Sequence, residues 1–241
     1  MKLSYWEYKS WLSNIDFTIV GSGIVGLNCA LFLKKNFPKA KILVLEKGFL
    51  PQGASTKNAG FACFGSLSEI IDDLNHHSER EVLELIKKRI NGLKLLRETL
   101  GDTSIAYENL GGYELFLETD EELYNTCLRR KKEINTLLKP IFNDDVFSLK
   151  ENSFKFRNIK LNYSFNQFEG QIDTGKMMEA LLLKVQKKGI KILNNCNVKQ
   201  FSDTINGVKV ETNNFEFSTK KLFVATNGFA SKLIEQPVKP A

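Results

Sequence analysis

The segment from Asp16 to Gly26 constrains the fold most, because an apolar run ends there at three closely spaced glycines. The apolar residues predict a buried strand, and the residues that follow predict a helix. Gly21, Gly23 and Gly26 have the spacing G-x-G-x-x-G. In such a turn the first glycine permits the bend, the second lets backbone approach a pyrophosphate, and the third lets the helix pack on the strand. The segment therefore predicts a dinucleotide site at a helix N-terminus.

A second apolar run, residues 42–45, ends at Glu46. A carboxylate at this distance from the glycines is placed to accept hydrogen bonds from the adenosine ribose hydroxyls. Glutamate rather than arginine at that position favours a free 2′-hydroxyl, and hence NAD or FAD over NADP. The alternative is a surface acid paired with Lys47, which follows it directly.

The loop from Gly53 to Phe61 is small and polar, and it follows the second strand. A flavin dinucleotide lies extended through its protein, so the chain must contact the ribityl group and the ring as well as the pyrophosphate. Ser55, Lys57 and Asn58 offer donors for those contacts, and Gly60 lets backbone reach the flavin edge. An ordinary surface turn accounts for the same composition equally well.

In combination these motifs resemble the D-amino-acid oxidase-like family of FAD-dependent oxidoreductases, which includes glycine, sarcosine and γ-glutamylputrescine oxidases. The resemblance continues in family order at residues 169–173, at Val198 and at residues 223–228. It implies that the backbone of Val198 contacts the adenine end, and that Thr226 and Asn227 lie beside the cofactor. The cofactor-binding residues expected in all are Gly21, Ser22, Gly23, Ile24, Val25, Gly26, Glu46, Lys47, Gly53, Ala54, Ser55, Lys57, Asn58, Ala59, Gly60, Phe61, Val198, Thr226 and Asn227.

The implied fold is α/β, with a Rossmann-like FAD-binding domain and an inserted antiparallel-sheet α+β substrate domain. The expected domains are 1–102 and 168–241 for FAD binding and 103–167 for the substrate. The periodicity of apolar residues, together with the glycines and prolines that interrupt it, predicts the helices and strands. Helices are expected at 24–36, 79–100, 121–138, ending before Pro140, and 174–188, and strands at 105–107, 113–117, 190–193, 198–201 and 222–225, with a hairpin at Asn206-Gly207.

The resemblance implies oxidation of the C–N bond of a small amine or amino acid by hydride transfer to flavin N5, with oxygen or another electron acceptor. No catalytic acid or base is assigned: Tyr107, Tyr113 and Tyr163 are candidates, but strand tyrosines more often pack in sheets. Two alternatives stay open, an NAD-dependent dehydrogenase and a non-catalytic FAD-binding protein. Family members normally continue past the position of Ala241, so these 241 residues are expected to lack part of the site and not to oxidise amines alone.

Composition excludes several other classes. The net charge is +6, but basic and acidic residues alternate without a long basic tract, so no nucleic-acid partner is expected. The four cysteines lie far apart, which predicts neither a metal site nor a disulfide framework and suits the cytoplasm. Cys29 and Cys196 are interpreted as buried fillers, and Cys63 as a packing residue that lies close to the flavin loop.

The apolar stretch after residue 15, the N-terminal residues 1–14 and the two histidines are interpreted as structural. Asp16, the glycines and Asn28 interrupt the apolar stretch after residue 15, so no membrane span is expected there. Residues 1–14 do not resemble a secretory signal. Their aromatic side chains are expected to pack on the domain as a lead-in helix, rather than to anchor it in a membrane. His76 and His77 are expected at a surface loop or helix entry.

Overall fold

The structure is a computed structural model that describes residues 3–234. The C-terminal residues 237–241, on which the expectation of a missing part rests, lie outside the described residues. The strands, in chain order, are β1 (Ile15–Val20), β2 (Ile42–Leu45), β3 (Phe61–Ala62), β4 (Gly112–Glu114), β5 (Phe147–Glu151), β6 (Asn162–Asn166), β7 (Gly170–Gln171), β8 (Lys191–Leu193), β9 (Val198–Thr204), β10 (Gly207–Thr212) and β11 (Glu216–Val224).

Helices account for most of the remaining regular structure. They are α1 (Tyr5–Glu7), which a π-helical turn Tyr8–Leu12 continues, α2 (Ile24–Asn36), α3 (Leu67–His76), α4 (Glu79–Leu100), α5 (Asp102–Ile105), α6 (Glu121–Phe142) and α7 (Thr174–Lys187), with 3₁₀ turns at Ala54–Thr56 and Asn227–Lys232. The predicted helices at 24–36 and 79–100 are confirmed to the residue. Gly101 follows α4 and Gly189 lies just after α7, and both have the positive φ that is common where helices end.

The chain forms two compact units, one of residues 1–59 and 174–241 and one of residues 60–173. These boundaries differ from the expected domains 1–102, 103–167 and 168–241, because helices α3 and α4 belong to the second unit.

The first unit is built on a six-stranded sheet with the order β8-β2-β1-β11-β10-β9. The first four strands are parallel, and β10 pairs antiparallel with both β11 and β9. Strand β2 is buried along its whole length, as expected for a central parallel strand. The expected Rossmann-like α/β architecture is confirmed.

The second unit contains a three-stranded antiparallel sheet, β4-β6-β5, and a short pair, β3-β7. Helices α3, α4 and α6 supply an apolar core with this sheet, centred on residues such as Ile86, Ile134 and Phe147. Each of α3 and α4 begins with a serine capping box, Ser66–Glu69 and Ser78–Glu81. The expected antiparallel α+β unit is therefore present.

Several predicted elements differ from the structure in type or extent. The strand expected at 113–117 is only the three-residue β4, and Leu117 forms an isolated bridge with Ile159. Residues 105–107 do not form a strand: Asp102–Ile105 is a short helix, and Ala106 is left-handed with φ 48°. Helix α6 does not stop before Pro140 but continues to Phe142, where the left-handed Asn143 ends it. Proline removes one hydrogen bond in the last turn, and burial of Leu138 and packing of Phe142 on the core outweigh that loss.

The first two N-terminal aromatic side chains do not pack on the domain, contrary to expectation, whereas the Lys191 ammonium lies 4.4 Å from the Trp11 ring centroid. Tyr5 and Trp6 are 65% and 69% exposed. The segment is held by Leu12, which is buried in the core of the first unit, and by lysines that donate to its carbonyls: Lys41 Nζ to the Ser13 carbonyl and Lys191 Nζ to the Ser10 carbonyl, both 2.6 Å. Among residues 3–234, no helix is long and apolar enough to cross a membrane.

Candidate functional site

The parallel strands of the first unit end together at one edge of the sheet. Val20 of β1 is in register with Leu45 of β2 and with Val224 of β11, and Leu45 is in register with Leu193 of β8. The residues that follow these strand ends are therefore neighbours. This carboxyl edge is where open α/β sheets bind ligands.

A glycine turn leaves β1 at this edge. Gly21 has φ +107°, and its N–H donates to the Leu45 carbonyl at 2.8 Å. A Cβ on Gly21 would lie 2.6 Å from the Ala225 carbonyl oxygen. A Cβ on Gly26 would overlap the Gly21 carbonyl, so the first turn of α2 packs directly on the bend. Both positions require glycine for steric reasons.

The space beside Gly23 is occupied by Ser55. A Cβ on Gly23 would lie 2.9 Å from Ser55 Oγ, and that hydroxyl accepts a hydrogen bond from the Ile24 N–H at 3.0 Å. Because Gly23 has no side chain, the Ser55 hydroxyl of the loop at residues 53–61 can reach the N-terminus of α2. Ser55 satisfies one of the donors that a helix leaves unpaired at its start.

The next two donors of α2 remain open. Within the described part of the chain, neither the Val25 N–H nor the Gly26 N–H has a hydrogen-bond acceptor. The Val25 side chain is 71% exposed, so this helix end faces solvent. Unpaired N–H groups and the positive end of the helix dipole make an anion site. These features fit the pyrophosphate of a dinucleotide.

Glu46 is buried against the glycine turn, with 6% of its surface exposed. Its Oε2 accepts from the Ser22 N–H at 3.1 Å and the Ser22 hydroxyl at 2.7 Å, and Oε1 accepts from the Gly48 N–H at 2.9 Å. No Lys47 ion pair is found among the described residues; the Lys47 ammonium lies 4.8 Å from the Phe229 ring centroid. Three of about four acceptor positions are used, which leaves one for a ribose hydroxyl.

Val198 reaches the same edge through the segment that precedes it. The Glu46 N–H donates to Leu193, and the Cys196 N–H donates back to Glu46, both at 2.8 Å. The Asn195 N–H donates to the Gly48 carbonyl at 2.9 Å. This backbone clamp was not predicted from the sequence; its visible trace is Asn194-Asn195, since asparagine tolerates the left-handed φ of 53° found at Asn195.

Thr226 and Asn227 follow β11 at the glycine turn. The Thr226 methyl carbon lies 3.5 Å from the position of a Cβ on Gly21, and Asn227 is left-handed with φ 49°. The Thr226 hydroxyl oxygen is buried and has no partner among the described residues. An unsatisfied buried hydroxyl is costly, so this atom also fits a site completed by a bound group.

The loop between Gly53 and Ala59 is exposed except for Ser55. The Asn58 side-chain amide donates to the carbonyls of Ala54 and Ser55, and its oxygen accepts from the Thr174 hydroxyl at 2.8 Å. Asn58 therefore shapes the loop with the donors expected to contact a ligand. Lys57 is exposed, and its ammonium has no partner in residues 3–234.

Gly60 and Phe61 belong to the second unit. Gly60 is buried with φ +79°, and its carbonyl accepts from the Ile172 N–H at 2.8 Å. Phe61 begins β3, pairs with Gln171 and is 77% exposed. Two of the three tyrosine candidates pack in the sheet as expected: Tyr163 is fully buried, and Tyr113 lies against Phe165. Tyr107 lies outside the strands, and the Arg97 guanidinium covers its ring at 3.9 Å.

The cysteines and histidines are placed as follows. Cys196 is buried, and burial raises the pKa of its thiol to about 11. Cys29 is only half-buried, and Cys63 is exposed, so the packing interpretation of Cys63 is wrong. His76 and His77 are exposed at the end of α3, as expected. The described residues contain no group of three or more candidate metal ligands.

Solved structures share this fold. Glycine oxidase from Geobacillus kaustophilus matches with TM-score 0.63 and 19% identity, over 90% of this chain and 56% of its own. L-Amino acid deaminase from Proteus myxofaciens matches with TM-score 0.63 and 19% identity, and the match covers 91% of this chain and 47% of the deaminase. L-Proline dehydrogenase from P. horikoshii matches with TM-score 0.59 and 24% identity, and the match covers 91% of this chain and 55% of the dehydrogenase. The chain spans about half the length of these proteins.

A search of curated proteins gives no match. The sequence model of the family described as FAD dependent oxidoreductase, DAO, matches residues 16–241, which include the glycine turn, Glu46 and the Thr226 strand end. This chain therefore belongs to the DAO family of FAD-dependent oxidoreductases, and its cofactor is FAD.

Proposed function

We propose that this protein is an FAD-dependent oxidoreductase that oxidises the C–N bond of a small amine or amino acid. The observation that carries the proposal is the carboxyl edge of the first unit, where the glycine turn, two open helix N–H groups and Glu46 meet in a chain of the DAO family. The solved structures with this fold include an oxidase, a deaminase and a dehydrogenase of amino acids, which supports the same substrate class.

The first unit is assigned to cofactor binding. The N–H groups of Val25 and Gly26 would hold the pyrophosphate, and the remaining acceptor position of Glu46 would hold the adenosine ribose. Val198, through its backbone, would meet the adenine end. These roles follow from the chemistry of the groups: N–H donors and a helix dipole suit an anion, and a carboxylate suits neutral hydroxyl donors.

Other residues of the site would orient the remainder of the cofactor. When bound, FAD would supply the electron acceptor, taking a hydride from the substrate carbon at flavin N5 and leaving an imine for hydrolysis. Thr226 offers a buried hydroxyl without a partner in residues 3–234, and Lys57 offers an exposed cation. A cation near the cofactor would stabilise negative charge that develops on reduction.

We assign the substrate role to the antiparallel unit and a cytoplasmic location to the protein, with oxygen or another molecule as final electron acceptor. The location rests on cysteine usage, since the four cysteines are free. An NAD-dependent dehydrogenase would leave the loop at residues 53–61 and the Thr226 strand end unexplained, and the family match names FAD.

Anaerobic flavin reduction tests this function. The purified holoprotein is mixed with a panel of small amines and amino acids, and the flavin absorption band is followed without oxygen. The proposal expects at least one compound to bleach the flavin band, with the imine or its carbonyl hydrolysis product detected in an amount equal to that of the reduced flavin. A protein that retains FAD but is not bleached by any compound, although dithionite reduces it, would support the non-catalytic FAD-binding alternative.

A further inference from the structure

The second unit contains a cavity of about 730 Å³ beside helix α4. Three phenylalanine rings in mutual contact form its floor: Phe142 lies between Phe64 and Phe168, with centroid distances of 4.8 and 4.6 Å and rings tilted by 31° and 36°. Ile90 and Leu93 of α4 line the adjoining wall. The size and the apolar lining with a few polar groups are typical of small-molecule sites.

One basic side chain that lines this cavity makes no ion pair with any described residue. Two of the three basic side chains that line it are paired, Arg97 with Asp102 at 2.7 Å and Lys94 with Glu98 at 3.9 Å. Arg89 has no ion-pair partner among the described residues, and its Nη1 donates one hydrogen bond, at 2.9 Å, to a backbone carbonyl of the cavity floor. A guanidinium carries five N–H donors, so several remain available to a ligand.

We infer that this cavity binds a small carboxylic acid with an apolar body, its carboxylate against Arg89 and its body on the phenylalanine floor. A guanidinium matches a carboxylate with two parallel hydrogen bonds, and the apolar floor removes the body from water. A polyanion is disfavoured because only one cation is unpaired. The inference uses the second unit alone and does not depend on the proposed oxidation.

The other groups at the cavity are consistent with this ligand. The Arg97 guanidinium covers the Tyr107 ring at 3.9 Å, so that ring face is not open to a ligand cation. Although Cys63 is exposed, desolvation of its sulfur atom, and then the charge of Glu169, raise the pKa of the thiol. The thiol is therefore neutral near pH 7 and does not compete with a carboxylate for Arg89.

Calorimetric titration of the full-length holoprotein with 3-phenylpropionate tests the inference. The acid should bind, while 3-phenylpropanamide and acetate, which each lack one half of the recognition, should bind at least tenfold more weakly. Arg89→Gln should weaken binding of the acid about tenfold or more, the loss expected for hydrogen bonds to a charged group. Lys88→Gln, which removes the same charge from the neighbouring residue of α4 that does not line the cavity, should change binding of the acid less than twofold.

Three results would overturn the inference: no binding of 3-phenylpropionate, equal binding of the amide, or an equal loss in the Arg89 and Lys88 variants. If Arg89→Gln does not fold, methyl resonances of Ile90 and Leu93 in the unsubstituted protein decide the question. Shifts caused by the acid but not by the amide would support the site, and the absence of such shifts would contradict it. Flavin reduction by amines has no part in either readout, so this inference and the proposed function fail separately.

Discussion

A single methyl group at Gly26 would collide with the backbone of the dinucleotide turn. The Cβ would overlap the Gly21 carbonyl, which is backbone and cannot rotate away. Gly26→Ala should therefore destabilise the protein by about 1–3 kcal/mol, the usual cost of overpacking, and reduce its FAD content. Gly92→Ala is the matched control, since a Cβ there meets nothing within 4 Å in helix α4 and should stabilise by about 1 kcal/mol. Thermal unfolding of both variants checks the opposite signs.

Glu46 has a structural role in addition to the proposed ribose contact. Glu46→Ala should weaken FAD binding by about 1.5–3 kcal/mol, the range for hydrogen bonds to a charged group. Ser22→Ala removes one hydrogen bond to the same carboxylate but keeps the acceptor, so it should weaken FAD binding much less. Fluorescence titration of the apoproteins with FAD measures both. Equal affinities of Glu46→Ala and the parent would leave Glu46 with a structural role alone.

Glu169 makes the stability of the second unit depend on pH. Burial raises the pKa of its carboxyl above 4.5, although the N–H groups of Phe64 and Gly65 donate to it. A raised folded-state pKa means that its contribution is fully present below the unfolded pKa and is lost as pH rises through the folded value. Glu169→Gln keeps the acceptor oxygen and removes the charge. Its melting temperature relative to the parent should increase from pH 4.5 to pH 8; a constant difference would contradict the assignment.

At the scale of elements, one substitution at the N-terminus of α2 should change the stability of the apoprotein and its affinity for FAD in opposite directions. Ser55→Asp places a carboxylate beside the Ile24 N–H, where Ser55 Oγ now lies at 3.0 Å. It should stabilise the apoprotein by about 0.3–1 kcal/mol through the helix dipole, yet weaken FAD binding by repelling the pyrophosphate. Ser55→Asn is the neutral control. Equal FAD affinities of the two variants would place the pyrophosphate elsewhere.

Elements with strong local signals were predicted closely, and those decided by tertiary packing were not. Residues 24–36 and 79–100 carry helical periodicity and glycine stops, and both helices match. Pro140 misled the prediction because the helix is extended by packing of Phe142, a contact distant in sequence. The aromatic residues near Trp6 suggested packing, but burial of Leu12 and lysine-to-carbonyl hydrogen bonds dock that segment, and no periodicity reveals those hydrogen bonds.

At the scale of the molecule, the candidate site follows from strand register. Sequence alone locates Gly21 and Glu46, because the strand–turn–helix spacing has a known geometry. It cannot show that Asn195 and Gly48 are hydrogen-bonded, since that depends on the pairing of β2 with the distant β8. The cavity beside Arg89 is likewise assembled from four separated segments, so no local motif marks it.

Release of the bound dinucleotide tests the central claim most directly. The purified protein, incubated with excess FAD and NAD and freed of unbound nucleotide, is denatured, and the supernatant is separated and quantified by chromatography. The account predicts FAD at close to one molecule per chain, with its absorption bands lost from the protein fraction. NAD in place of FAD, or no retained flavin in a folded protein, would contradict it.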